Sequence, residues 1–143
     1  MLSITYLSDA TTPFDDDQLA VLLLGSRANN TRDGLSGVLL HRQGRFMQVL
    51  EGPEAVVRRR YAVIERDPRH ARIEVLSTEI IDAPRFGQWS MGYQPLTDDL
   101  AHELPGFTDF FSDARSLPTA ERSSNVAALL MWFRNHPVAA AQH

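Results

Sequence analysis

In the stretch FMQVLEG, residues 46–52, the first five positions have the composition of a buried β-strand in all but one. Phe46, Met47, Val49 and Leu50 are apolar, and Gln48 stands among them. Side chains of a strand alternate between its two faces, so Gln48 shares one face with Phe46 and Leu50, while Met47, Val49 and Glu51 share the other. Neither face is cleanly polar, and a glutamine simply turned to water fails on that parity. A primary amide buried without partners for its carbonyl and two N–H groups costs roughly 1–3 kcal/mol. Gln48 is therefore expected in a polar network or at an interface.

Working outward, residues 35–40 form a second β-rich run, joined to the first by HRQGR, a hairpin with Gly44 available for positive φ. Glu51 and Gly52 end the strand. Pro53 stands as the first residue of a helix in which Val56, Val57, Tyr61 and Ile64 recur at helical spacing, until Asp67 and Pro68 stop it. Upstream, residues 2–7 are β-like, and Pro13 with Asp15, Asp16 and Asp17 announces a helix N-terminus. That helix is expected to run to about Asn29, with Leu19, Leu22, Leu23 and Ser26 as its stripe and residues 30–34 as the exit loop. Residues 73–81 and 88–93 supply two more strands, the last carrying Trp89, Met91 and Tyr93 on one face.

The resulting βαββαββ order predicts an α+β, ferredoxin-like sandwich, a mixed sheet with two helices on one face. Met47 and Val49 would then be wet unless something covers the other face. Residues 96–143 supply Phe107, Phe110 and Phe111, then a helix from about Thr119 with Val126, Leu129, Leu130 and Phe133 as an apolar stripe. A C-terminal pair of short helices is expected on the open sheet face or shared with a second subunit, so a homodimer or higher homo-oligomer is expected. The chain divides into a domain of residues 1–95 and a helical extension of residues 96–143.

Composition bounds the function. With 143 residues, 43% hydrophobic and 22% charged, the chain is of globular type with room for one real core. A net charge of -4 argues against an electrostatic nucleic-acid binder. All 14 cations are Arg, which excludes lysine Schiff-base chemistry. The absence of Cys removes disulfides, thiolate catalysis and cysteine-ligated metals. No segment looks like a signal peptide or a membrane span, so a cytoplasmic location and no membrane contact are expected.

At this point several motifs carry a family resemblance. Tyr6 on the first strand, Asn29 and Asn30 after the first helix, GLSGVLL at 34–40, FMQVLEG at 46–52, DPRH at 67–70 and FGQWSMGY at 86–93 together resemble the BLUF domain, the blue-light sensor that uses FAD. The resemblance covers roughly residues 1–95. It implies FAD held noncovalently between the two helices, with the flavin ring edge facing Tyr6 and Gln48. It also implies that Asn30 hydrogen-bonds the carbonyl and N–H edge of the ring, that Asn29 lies toward the ribityl chain, and that Asp67, Arg69 and His70 lie near the outer flavin or its phosphate tail. Val63 stands where some relatives carry a basic residue.

The amide at 48 then has a chemical role. Its donor and acceptor ends are nearly the same shape, so a half turn, or a shift to the imidic tautomer, reverses hydrogen-bond polarity without repacking. Tyr6, with a reference pKa of about 10, is protonated at rest and can give an electron and a proton to an excited flavin. Their return can leave Gln48 rearranged, with a new hydrogen bond that shifts flavin absorption to longer wavelength. The implied function is a photoreceptor rather than an enzyme, with Tyr6 and Gln48 photoactive and Trp89 and Met91 supporting. Its signal is expected to leave through the C-terminal helices to an unidentified downstream signalling protein.

Each residue also has a plainer role. Tyr6 can be a strand aromatic, Asn29 and Asn30 a helix C-cap, His70 a partner of a helix C-terminal dipole, and Trp89 and Met91 sheet core. Arg58, Arg59 and Arg60 fit a solvated helix face beside Glu54 and Glu65. Two other functions stay open: a small flavin-dependent oxidoreductase, which lacks a dinucleotide glycine fingerprint, and a light-insensitive ferredoxin-like dimerisation or ligand-binding module.

Overall fold

A computed structural model of the chain describes residues 1–12, 14–42, 44–87, 90–95, 128 and 131. The elements follow in the expected order: β1 (Leu2–Ala10), α1 (Asp16–Asp33), β2 (Ser36–Arg42), β3 (Arg45–Gly52), α2 (Glu54–Glu65), β4 (His70–Ile80) and β5 (Gly92–Pro95). They build one five-stranded sheet in the order β4-β1-β3-β2-β5. Its pairs are antiparallel except β2 with β5, which is parallel, so the sheet is mixed and the ferredoxin-like α+β class is observed.

Local chemistry sets the boundaries. The Asp15 side chain accepts from the backbone N–H of Gln18 at 2.7 Å, and Gln18 Oε1 accepts from the Asp15 N–H at 2.9 Å, a capping box that starts α1. The helix does not stop at Asn29 but runs through Asp33 to Gly34, whose φ of 73° supplies the left-handed cap. The expected exit loop is thus the last turn of α1. Asn, Thr and Asp lower helix propensity only slightly, and the first residue that closes the helix cheaply is Gly34. Pro53 is the N-cap of α2 rather than its first residue, and its carbonyl accepts from Val56 and Val57, each at 3.0 Å. Strand β4 begins at His70, earlier than expected, because Ala10 pairs with it across the sheet. That places His70 on a strand, while its ring still meets the last turn of α2 at the Ile64 carbonyl. Among the described residues β5 starts at Gly92, later than expected, and Gln88 and Trp89 lie outside them.

Both faces of the sheet are buried. Leu2, Ile4, Tyr6, Leu39, Phe46 and Leu50 join Leu19 and Leu23 of α1 and Val57 of α2 in one core, with Met91 beside them. On the opposite face Leu7, Val38, Leu40, Met47 and Val49 are also fully buried. This explains why neither parity of residues 46–52 is polar: Phe46 and Leu50 pack toward the helices, and Met47 and Val49 pack away from them. Of the pair of C-terminal helices expected over that second face, only residues 128 and 131 are described, both helical and exposed.

Glu51 is the polar exception on the second face, and it is fully buried. Its Oε1 accepts from the backbone N–H groups of Arg85 and Phe86 at 2.7 and 3.0 Å, and its Oε2 accepts from Arg85 Nε at 3.0 Å. Arg85 also donates to Ser3 Oγ at 2.9 Å, so one carboxylate ties the β4–β5 connection to β3 and β1. A buried charge is tolerated only with such full pairing, and removing one partner strands the others. Glu51→Ala is therefore expected to cost about 3–5 kcal/mol of stability in chemical denaturation. A loss below about 1 kcal/mol, the scale of an exposed ion pair, would contradict this role.

Candidate functional site

Strands β1 and β3 pair in a register that sets Tyr6 directly opposite Gln48. Both side chains point to the helix side, and the Tyr6 hydroxyl donates to Gln48 Oε1. The other end of the amide, Nε2, donates to the sulfur of Met91 at 3.5 Å. Thioether sulfur is a weak acceptor, so the amide is firmly held at its carbonyl end and lightly at its amino end. Tyr6 is packed edge-on against Tyr61 of α2, with ring centroids 5.5 Å apart. Burial, helped by Tyr61 and Asp67, pushes the phenol well above its ordinary pKa, so Tyr6 keeps its proton and stays a donor.

These groups sit at the floor of a cavity of about 370 Å³ between the sheet, α1 and α2. All seven candidate cofactor residues line it: Tyr6, Asn29, Asn30, Gln48, Asp67, Arg69 and His70. The extended α1 is what brings two of them there. Asn29 and Asn30 stand on its last turns rather than in a loop. Asn30 is buried and donates through Nδ2 to the Ser90 carbonyl at 2.7 Å, while Asn29 Oδ1 accepts from Arg32 at 3.3 Å. At the far corner, Arg69 donates to Asp67 through its backbone N–H at 2.9 Å and through Nε at 3.0 Å, which holds the Asp67 carboxyl below its usual range. His70 Nε2 lies 2.6 Å from the Ile64 carbonyl and so carries a proton, and Nδ1 lies 3.0 Å from Ser8 Oγ. Met91 is in contact with Gln48, whereas Trp89 lies outside the described residues.

Three contributions escaped the sequence. Arg60 does not belong to a solvated face with Arg58. Arg58 pairs with Glu54 at 3.0 Å in the open, but Arg60 lines the cavity, pairs with Asp33 of α1 at 2.9 Å and has a buried Nε with no hydrogen-bond partner. Its position one turn before Val63 and Ile64 was the available signal. Tyr61 belongs by spacing to an apolar stripe, and its ring packs edge-on against Tyr6. Arg27 donates through Nε to the Met91 carbonyl at 2.9 Å, and a backbone acceptor leaves no trace in sequence.

The lining suits a planar heteroaromatic ring. Phe14, Leu22, Leu39 and Phe46 give apolar walls, while the amides of Asn29, Asn30 and Gln48 and the orphaned Arg60 N–H converge as polar groups for a ring edge. A flavin head, apolar on one side and lined with carbonyl and N–H groups on the other, fits that division.

Comparison with known proteins agrees. A family model described as sensors of blue-light using FAD matches residues 1–92. The chain is 28% identical over 123 residues to photoactivated adenylate cyclase subunit beta of Euglena gracilis, a match covering 85% of this chain and 14% of that protein. Among solved structures, BlsA in its photo-activated state aligns with a TM-score of 0.82 at 25% identity over 99% of both chains. BlrB, a BLUF protein in its dark state, aligns with a TM-score of 0.78 at 27% identity over 94% of this chain and 95% of that one. The chain spans about 14% of the length of the cyclase relatives it matches. With the family match running from β1 to the first residue of β5, the chain belongs to the BLUF family, the sensors of blue light that use FAD.

Proposed function

We propose that this chain binds FAD in the inter-helix cavity and senses blue light by reversing the hydrogen bond between Tyr6 and Gln48. The observation that carries the proposal is that bond itself, buried at the floor of a cavity lined with amides. When bound, flavin supplies blue absorption and, once excited, a strong pull on electrons. Asn30, with its carbonyl end turned from Ser90, and Asn29 are assigned to the ring edge and ribityl chain, and Asp67, Arg69 and His70 to the outer part of the cofactor. Arg60 already has Asp33 as counter-ion, so its spare N–H suits a neutral acceptor.

Because burial makes the bare phenolate costly, Tyr6 holds its proton at Oη and releases it only when the ring also gives up an electron, both of which an excited bound flavin would take up and later return. Gln48 loses its donor at that moment. Its amide is then free to reverse, since the two ends have nearly the same shape and the surrounding core need not move. Once the proton is back on Tyr6, the reversed amide presents a donor to the phenol oxygen and its oxygen end toward Met91. A neutral hydrogen bond nets only about 0.5–1.5 kcal/mol, so the reversed form is expected to relax thermally.

The effector is a separate question from the switch. The curated relatives carry BLUF-like segments within photoactivated adenylate cyclase subunits. For this chain, signalling through residues 96–143 to a downstream protein, with self-association of the chain as part of it, is the output proposed.

Three outcomes are expected. Tyr6→Phe and Gln48→Leu should each retain bound flavin yet lose the reversible red shift of the blue absorption band, and a normal photocycle in either would overturn the switch. Asn30→Ala should weaken flavin binding by about 1–3 kcal/mol in titrations at limiting FAD. Because the Tyr6 pKa is raised, its protonated form persists as pH rises, and the red-shift amplitude should be unchanged between about pH 7 and pH 10, where an ordinary phenol is half ionised.

A further inference from the structure

Two side chains of α1 grip consecutive carbonyl oxygens of the segment that enters β5. Asn30 donates to Ser90 O at 2.7 Å and Arg27 donates to Met91 O at 2.9 Å. They stand three residues apart, on one face of the helix. The segment they hold carries the fully buried Met91, whose sulfur is the acceptor for Gln48 Nε2 at 3.5 Å. The terminal methyl of Met91 lies over Gly37, where a built Cβ would stand 3.5 Å from Met91 Cε, an ordinary van der Waals distance. Asn30 lines the cavity, so its grip is shared with the cofactor. Arg27 is not among the lining residues and reaches the amide through Met91.

Resting on the switch proposed above, we propose that Arg27 is a positioning residue that fixes the Met91 thioether against the amino end of Gln48 and thereby shortens the lifetime of the light-induced state. The chemistry is directional. In the resting arrangement the sulfur faces an N–H donor, a weak but favourable contact. After reversal it faces the amide oxygen, acceptor against acceptor. A thioether held in place therefore favours the resting amide and drives its return. An unheld Met91, with three rotatable side-chain bonds, can swing from the oxygen and relieve that bias.

The test uses the full chain loaded with FAD, following dark recovery of the red-shifted band after blue light in the wild type, Arg27→Met, Arg27→Lys, Met91→Leu and the Arg27→Met/Met91→Leu double variant. Arg27→Met keeps the aliphatic stem and removes the donor. It should retain the amplitude of the red shift and slow recovery by about threefold or more. In the Met91→Leu background, where the sulfur is already gone, the same substitution should add no further slowing. Should Arg27→Met not fold, Arg27→Lys, which keeps the charge without the planar N–H, carries the same expectation. Unchanged or faster recovery, or slowing undiminished in the Met91→Leu background, would overturn the role of Arg27. A wild-type chain with no red shift would overturn the switch itself, an outcome distinct from a normal photocycle that ignores Arg27.

Discussion

The hydrogen bond from Tyr6 to Gln48 depends on the pairing register of β1 and β3, and most of the described structure can be understood as holding that register. A slip of one residue would turn Gln48 away from the helices and put Met47 or Val49 in its place. The constraints lie at both ends of the pair. Near one end the Ala10 N–H donates to the Gly44 carbonyl at 2.7 Å, locking β1 onto the β2–β3 hairpin. Near the other, Glu51 binds Arg85, which in turn binds Ser3, three residues before Tyr6 on the same strand. A buried carboxylate on one face of the sheet thus helps fix a buried amide on the other.

The cavity follows from the same economy of parts. Two helices pack on one face of the sheet, and Asp33 at the end of α1 meets Arg60 on α2 at 2.9 Å beside the opening between them. The polar side chains that enter the space are short or planar, and those with partners are bound to fixed backbone or side-chain groups. Such a site can order a ring-shaped ligand without reorganising itself, which is the condition for a small rearrangement at one amide to be read as a signal. Met91 belongs to both structures at once, its side chain against Gln48 and its carbonyl under Arg27.

Much of this was legible in the sequence because it rests on periodicity and on turn residues. The parity of residues 46–52 required two buried faces, and both are buried; Gly44 has the positive φ, 77°, that the hairpin demanded. The run from Asn30 to Asp33 reads as a loop in the sequence because its residues are individually weak helix formers, and only the position of Gly34 tells where the helix closes. The role of Glu51 was invisible because its partners are two backbone N–H groups and an arginine 34 residues away. Arg27 and Ser90 were hidden for the same reason. Arg60 was hidden by its neighbours, since in a run of three arginines only the helical phase separates the one facing the cavity from those facing water. Of residues 96–143, expected to cover the second face and carry the output, only 128 and 131 are among the described residues.

Reversal of the Gln48 amide by light can be read by light-minus-dark infrared spectroscopy of the flavin-loaded chain with carbon-13 at the glutamine side-chain carbonyl. Reversal of the amide gives a label-sensitive carbonyl band that shifts on illumination and recovers at the rate of the visible red shift. A full, reversible red shift with no label-sensitive glutamine band would contradict it.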